Sequence, residues 1–188
     1  MAADGWELNP DVEIARYDWQ RLKSFKGDAA ALPSAINALV FAESEESAEK
    51  AYWQIDNVAL LQGRLSECVA PLVSRLVAGL LHACSSGRAY ILDLLAAIAD
   101  DYDDHVDIGH VGPVSVRDCA HRMVVQFSLH VDELRLAGNP SCVDILLMRE
   151  IYEERLTVQV KQILDEALHL DSCANIIDLI ETSLADLG

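Results

Sequence analysis

Residues with metal-ligand chemistry crowd together at one place in this 188-residue sequence, a segment that begins at residue 100 and ends at Pro113. Carboxylate oxygens bind hard cations such as Ca²⁺ and imidazole nitrogens bind transition metals, so the segment has the side chains for an ion site. Its spacing does not match the EF-hand loop, because neither the central Gly nor the terminal Glu is in register. A solvated acidic loop, a partner-binding loop and a metal site all stay open as interpretations. The residues concerned are Asp100, Asp101, Asp103, Asp104, His105, Asp107 and His110.

The sequence carries no signature of covalent or cofactor-dependent catalysis. It lacks a GxSxG elbow, an HExxH motif and a Gly-rich phosphate loop. His121 and His130 lie nine residues apart on one predicted helix, more than two turns from each other, which argues against a shared metal. We therefore expect no catalytic residue, no cofactor and no metal. The remaining enzyme hypotheses are a metal-dependent hydrolase that uses the acidic segment and a repeat-built lyase.

The formal charge of −17, from 31 acidic against 14 basic residues, restricts the class of partner. Affinity for nucleic acid depends on Lys and Arg that neutralise phosphates, and anionic membranes likewise attract basic segments, so we expect neither as a partner. A basic protein is the natural complement, although acidity that serves solubility alone is an alternative. The residues expected to bind such a partner are Asp100, Asp101, Asp103, Asp104, Asp107, Glu150, Glu153 and Glu154.

Further acidic runs occur outside that set. No basic residue follows Lys161, and the carboxylates there and in the first quarter of the chain are typical of the solvated faces of helices. Aligned along one edge of the fold, the same carboxylates would instead make a continuous negative strip able to cover a basic active site. These runs are Glu43, Glu45, Glu46 and Glu49, and Asp165 and Glu166.

Cysteine usage and the N-terminus indicate a compartment. The five cysteines form no CxxC pair, and four lie among apolar helix residues, as is typical of free buried thiols in a reducing cytosol. The first residues are acidic and lack the apolar core of a secretory signal, and no apolar run is long enough to span a bilayer. We therefore expect a cytoplasmic protein. The cysteines are Cys68, Cys84, Cys119, Cys142 and Cys173.

The elements that must position these groups are predicted to be helices, because apolar residues recur at three- and four-residue steps. The clearest pair occupies residues 44–86, with Ser44 as N-cap of the first helix and a turn at Gln62-Gly63. An apolar stripe from Leu65 to Leu81 marks the second. Pro71 lies inside that stripe, so either the helix is kinked there or it begins near Ala70.

The rest of the chain repeats this pattern, and no strand-like alternation interrupts it. We expect an all-α protein of about eight or nine helices, with residues 1–16 as an N-terminal arm and 17–188 as one domain. The other predicted helices cover residues 17–25 up to Gly27, a stretch from Asp28 with Pro33 in its first turn, Arg88–Ala99 after a turn at Ser85-Ser86-Gly87, a stretch from a Ser115/Asp118 capping box to Gly138, one that starts at Asn139-Pro140, one around Leu156–Ala167 and one from Asp171.

Several short motifs resemble those of a bacterial group of HEAT-like helical-repeat proteins. Proteins of that group carry a Gln-Gly step, a small-residue helix that ends in Ala-x-x-Pro-x-Leu, and an Arg-x-x-x-Leu-x-Leu-Leu helix. The likeness covers residues 17–99 and continues beyond them only as a loose period of roughly forty to fifty residues. The residues that carry it are Trp19 and Leu22 ahead of Gly27, Ala51, the run Gln62-Gly63-Arg64-Leu65-Ser66-Glu67-Cys68-Val69-Ala70-Pro71-Leu72, and Arg88 followed by Ile91-Leu92-Asp93-Leu94-Leu95.

This resemblance implies a fold and a binding role, and it transfers no catalytic residue. The fold is a right-handed α-solenoid of stacked antiparallel helix pairs of the HEAT or armadillo type. Some similar chains accompany secreted bacterial toxins as immunity proteins, so we expect a monomer or weak homodimer that covers the active site of a cognate toxin domain. A HEAT-type adaptor in another bacterial complex is the alternative.

Overall fold

A computed structural model describes residues 14–61, 64–100, 111–124, 126–152 and 156–188, with the backbone alone for residues 100 and 149–152. These ranges are predominantly helical, which confirms the all-α prediction in its coarse form. Within them no helix combines the length and the apolar content needed to cross a membrane. The helices are α1 (Leu32–Val40), α2 (Glu45–Ala59), α3 (Val69–Leu80), α4 (Ser85–Asp100), α5 (Val116–Val124), α6 (Phe127–Ala137), α7 (Ser141–Tyr152), α8 (Thr157–Ala167), a 3-10 helix (Asp171–Ile176) and α9 (Ile177–Asp186).

Two short antiparallel hairpins interrupt the helical pattern. The first lies in the region of the helix predicted over residues 17–25, and the strands of the second flank the predicted turn at Gln62-Gly63, so that Leu65 lies in a strand and not at the start of the next helix. Strand β1 (Lys23–Ser24) pairs with β2 (Gly27–Asp28), and β3 (Leu60–Leu61) pairs with β4 (Arg64–Leu65). The predicted helix over residues 17–25 is therefore wrong. Three apolar residues cannot offset the cost of nucleating so short a helix, and the turn is held instead by the Ser24 hydroxyl, which donates to the Asp28 carbonyl at 2.6 Å.

Several predicted helix starts are confirmed. The Ser44 hydroxyl accepts from the Ser47 amide at 3.3 Å, and the Ser115 hydroxyl accepts from the Asp118 amide at 3.1 Å. Asn139 caps the next start, since its side-chain oxygen accepts from the Ser141 amide at 2.9 Å. Pro71 lies in the first turn of α3, where its missing N–H costs nothing. The alternative of a start near Ala70 is thus correct.

Other boundaries differ from the prediction. Residues 85–87 form the first turn of α4 rather than a loop, and the missing side chain of Gly87 allows a close approach to α1 there. The single helix expected from residue 115 to Gly138 is broken at Gln126, whose φ of −116° and ψ of 39° leave the helical region. The break produces two helices that share α7 as a neighbour but differ in the others, since α5 also packs on α3 and α4 whereas α6 also packs on the 3-10 helix.

The core is organised around α4, which packs against α1, α2, α3, α5 and α7. A helix with neighbours on most sides must also be apolar on most sides, and the sequence of α4 is. Each fully buried Leu or Ile contributes about 1.5–3 kcal/mol relative to an exposed one, so this helix is a large share of the stabilising burial. Its buried apolar residues are Ile91, Leu92, Leu94, Leu95, Ala96, Ile98 and Ala99.

Two arginines form hydrogen bonds between helices in the first half of the fold. Arg75 of α3 is fully buried, and its Nη2 donates to Asn37 Oδ1 of α1 at 2.7 Å. Arg122 of α5 donates from Nη1 to the hydroxyls of Ser74 at 2.6 Å and Tyr17 at 3.0 Å. Hydrogen bonds from a charged donor are stronger than neutral ones, so these contacts fix α1, α3 and α5 relative to one another.

Gly87 allows the closest backbone approach between α4 and α1. A Cβ added there would lie 2.1 Å from the Leu39 carbonyl oxygen. That oxygen belongs to a helical backbone, so it cannot move unless α1 moves as a whole. Gly79 of α3 provides a comparison, because a Cβ at that position would meet only the Val40 methyl group, at 2.7 Å.

We expect Gly87→Ala to lower the free energy of unfolding by about 2 kcal/mol or more, since over-packing against a backbone atom cannot relax locally. Gly79→Ala should cost less, because the Val40 side chain can rotate and Ala favours the helix. Urea unfolding followed by circular dichroism measures both. Equal midpoints for the two variants would contradict the assignment of a rigid contact at Gly87.

Candidate partner-binding surface

The carboxylates that the sequence assigns to partner binding fall outside the described side chains. Residues 101–110 and 153–155 are not described, and the helices at residues 100 and 150 are described as backbone only. The assignment of these positions to a binding surface therefore stays a prediction. The residues concerned are Asp100, Asp101, Asp103, Asp104, Asp107, Glu150, Glu153 and Glu154, together with His105 and His110.

Val111, the first described residue after the acidic segment, lies beside the second hairpin. Val111 forms a parallel bridge with Ser66, its amide donates to the Leu65 carbonyl at 3.1 Å, and its carbonyl accepts from the Glu67 amide at 2.7 Å. The Glu67 carboxylate also accepts from the Lys23 amide at 3.3 Å. These bonds fix the residue that follows the acidic segment against both hairpins.

Three aromatic rings, here called the aromatic row, cross from α2 to α4 at the surface. Tyr52 and Trp53 of α2 meet edge to face with ring centroids 5.1 Å apart, and Tyr52 lies 5.6 Å from Tyr90 of α4. Tyr52 and Tyr90 are half-buried against the core, whereas Trp53 is 52% exposed. The buried stripe of α2 runs along Ala48, Ala51, Ile55 and Ala59, so Tyr52 sits at its edge and can reach the next helix.

Carboxylates surround the two tyrosines. Burial raises the pKa of Tyr52, and Asp56 and Asp93 raise it further. Burial likewise raises the pKa of Tyr90, with further contributions from Glu49, Glu45 and Asp93. Asp93 is held in place by the Ser141 hydroxyl of α7, which donates to its Oδ1 at 2.6 Å. The row is therefore neutral and apolar itself but lies in a negative field.

An open cleft of about 500 Å³ adjoins the row between α1 and α2. Small side chains of α1 make the space, and Trp53 belongs to the cleft as well as to the row. Asn57 is turned towards α2 itself, since its Nδ2 donates to the Trp53 carbonyl at 2.7 Å. The lining is neutral apart from one cation. It consists of Lys26, Ala31, Ser34, Ala35, Trp53, Gln54, Asn57 and Val58.

A second acidic surface covers the last helices. All six carboxylates of residues 156–188 are exposed, against a single lysine in that range. That lysine, Lys161, donates from Nζ to the Gly188 carbonyl at 2.5 Å, and Glu166 forms an ion pair with Arg135 of α6. Sequence patterning found only the first two of these acids as a cluster. The six are Asp165, Glu166, Asp171, Asp178, Glu181 and Asp186.

Burial limits the reactivity of three cysteines, Cys68, Cys119 and Cys142. The prediction that four of them are free and buried is confirmed, and Cys84 is exposed. Burial raises the pKa of Cys68 to about 11 and that of Cys119 to about 12, and it also raises the pKa of Cys142. Thiols with such pKa values stay protonated at neutral pH, so they lack the reactive thiolate. Among the described residues, no group of three or more His, Cys, Asp or Glu side chains could hold a metal ion.

Comparison with known proteins identifies no relative. No family model, no curated protein and no solved structure matches this chain. The resemblance to HEAT-like immunity proteins therefore stays a prediction drawn from the motifs in residues 17–99.

Asp56, beside the aromatic row, gives a pH-dependent test of the surface. Its pKa is raised by burial, so its ionisation opposes folding. The stability is then greatest below the unfolded-state pKa and is lost as pH rises through the folded-state pKa. We expect Asp56→Asn to raise the melting temperature slightly at pH 7 and to leave it unchanged near pH 3, as measured by calorimetry.

Glu181→Gln is the matched control, because Glu181 is exposed on α9 and belongs to no described ion pair. Its difference from the parent protein should be small and similar at the two pH values. A melting temperature for Asp56→Asn that falls at pH 7 would contradict the position of Asp56 in a partly dehydrated site.

Proposed function

We propose that this chain is an immunity protein, a protein-binding helical repeat that neutralises a basic bacterial toxin domain by covering its active site. The observation that carries the proposal is the unbalanced exposed charge, most pronounced in residues 156–188, where six exposed carboxylates accompany one lysine. A negative surface of this kind speeds the encounter with a basic partner and disfavours acidic ones. The motif resemblance supplies the class of partner, a toxin domain such as a nuclease.

A right-handed α-solenoid is the fold that we propose for this role. Part of the packing supports it, because several helix pairs contact the next pair along the chain, whereas α4 contacts five helices and so belongs to more than one layer. The pair α1 and α2 packs on the pair α3 and α4, these pack on α5 and α7, and α7 packs on α8 and α9. Serial packing of this type leaves one edge of each helix group available to a partner.

The alternative is an adaptor of the same fold, and one observation favours it. The cleft beside Trp53 is neutral apart from Lys26, so its chemistry differs from that of the acidic surface. Two surfaces of different chemistry suit two partners. An adaptor would bind a second protein at the cleft while the acidic surface stays occupied.

The decisive test pairs the purified protein with a basic toxin domain encoded beside its gene. We expect a stable complex by calorimetry, and survival of cells that express the toxin together with this chain. Raising NaCl from 50 to 300 mM should slow association roughly tenfold and change dissociation little, because long-range attraction is screened.

Asp178→Asn combined with Glu181→Gln removes two charges from α9 and should reduce the association rate at low salt. Ser34→Ala, in the cleft, is the neutral control and should leave that rate unchanged. The proposal fails if no neighbouring toxin binds and if expression protects no cells.

A further inference from the structure

We infer that the aromatic row seats an Arg or Lys side chain of the basic partner, an inference that deepens the proposed function and rests on it. A cation within about 6 Å of an aromatic ring centroid is attracted by the negative face of the ring. Tyr, Trp and Arg are also the residue types that most often dominate the energy of protein interfaces. The row offers three such rings side by side, with Trp53 half exposed and the two tyrosines at the surface.

The rings of the row differ from the other aromatic surfaces of the chain. Arg16 lies over Tyr17 with 5.9 Å between Cζ and the ring centroid, and Arg64 lies over Phe25 at 5.4 Å. In both places the protein supplies its own cation. Within the described part of the chain, neither of these contacts involves a ring of the row, so the row can receive a cation from outside.

The charges around the row select a cation rather than an anion. The charged groups that act on Tyr52 and Tyr90 are carboxylates from both helices, namely Glu45, Glu49 and Asp56 of α2 and Asp93 of α4. A guanidinium or ammonium on the rings would lie among these groups. All four carboxylates would repel an anion at the same place. The row therefore attracts cations and discriminates against anions.

Two basic residues lie near the row in sequence, and neither takes this place. Arg88 of α4 forms an ion pair with Glu133 of α6 and donates from Nη2 to the Ala83 carbonyl at 3.3 Å. Lys50 of α2 is exposed, and the cation–π contacts of the described residues do not pair it with Trp53, three positions further on. Among the described side chains, the cation–π contacts include no cation over a ring of the row, and we assign that position to a partner.

The row is also held in shape before binding. Tyr52 and Tyr90 pack against the core between α2 and α4, and Ser141 of α7 fixes Asp93 by a 2.6 Å hydrogen bond. Groups that are already ordered lose little entropy when a partner arrives, so more of the contact energy appears as affinity.

A hexa-arginine peptide is a suitable probe for this site. We expect calorimetry at 150 mM NaCl to show binding to the intact chain, and Tyr90→Leu to weaken it at least fivefold without any change of protein charge. Glu49→Gln with Asp93→Asn should weaken it similarly. Asp178→Asn with Glu181→Gln on α9 removes the same charge and should weaken it less than twofold.

Ring-proton NMR signals of Tyr52 and Tyr90 in the unmodified protein provide a measurement that depends on no variant, and they should shift when the peptide is added. The inference is overturned if the peptide fails to bind, if those signals stay unchanged, or if the α9 pair weakens binding as much as the α2/α4 pair. A toxin domain that binds with an affinity insensitive to Tyr90→Leu would refute the inference and leave the proposed function standing. If the peptide binds at the row but no toxin domain binds the protein, the inference stands and the proposed function is refuted.

Discussion

Burial of α4 on almost every side is the constraint on which the other elements depend. A helix this apolar is stable only if neighbours cover it, and it is covered by α1, α2, α3, α5 and α7. Those neighbours are separated from it by up to 44 residues of chain, the stretch between Val40 and Ser85, so their positions relative to one another are fixed through α4. The aromatic row is a consequence, since Tyr52 and Tyr90 meet only because α2 lies on α4.

Local patterning was sufficient to predict the long helices and most of their starts. Ser44, Ser115 and Asn139 cap helices because their side chains accept from amides two or three residues ahead, and such short-range chemistry is visible in sequence. The same local patterning gave a wrong prediction for the short aromatic stretch at residues 17–25, where a helix was expected. Its periodicity is helical, but a hairpin is stabilised there by contacts to α2, such as the bond from the Phe25 amide to the Val58 carbonyl at 3.0 Å.

Long-range contacts account for most of what the sequence could not predict about the surface. Nothing in the helical spacing indicates that Tyr52 contacts Tyr90, since the two lie thirty-eight positions apart. The pairing of Val111 with Ser66 is equally non-local. Acidic clusters, in contrast, were evident from composition, although the exposed acids of α9 are too widely spaced in sequence to stand out as one group.

The two faces of α2 show how one helix serves both stability and recognition. Its small residues Ala48, Ala51 and Ala59 bring the backbone close to the core, and the larger aromatic side chains are thereby left at the rim. Carboxylates from the same helix and from α4 then set the electrostatic character of that rim. The buried alanines thus determine where the aromatic side chains lie, and the neighbouring carboxylates determine which charge that surface prefers to bind.

Cys84 has a practical consequence. Its four counterparts are buried, whereas Cys84 is exposed immediately before α4, where its amide donates to the Val40 carbonyl at 3.3 Å. The natural chain thus comes with one attachment point for a maleimide dye or spin label. A reporter coupled there would lie at the start of the central helix, so its signal would follow changes at that point while all five cysteines are kept.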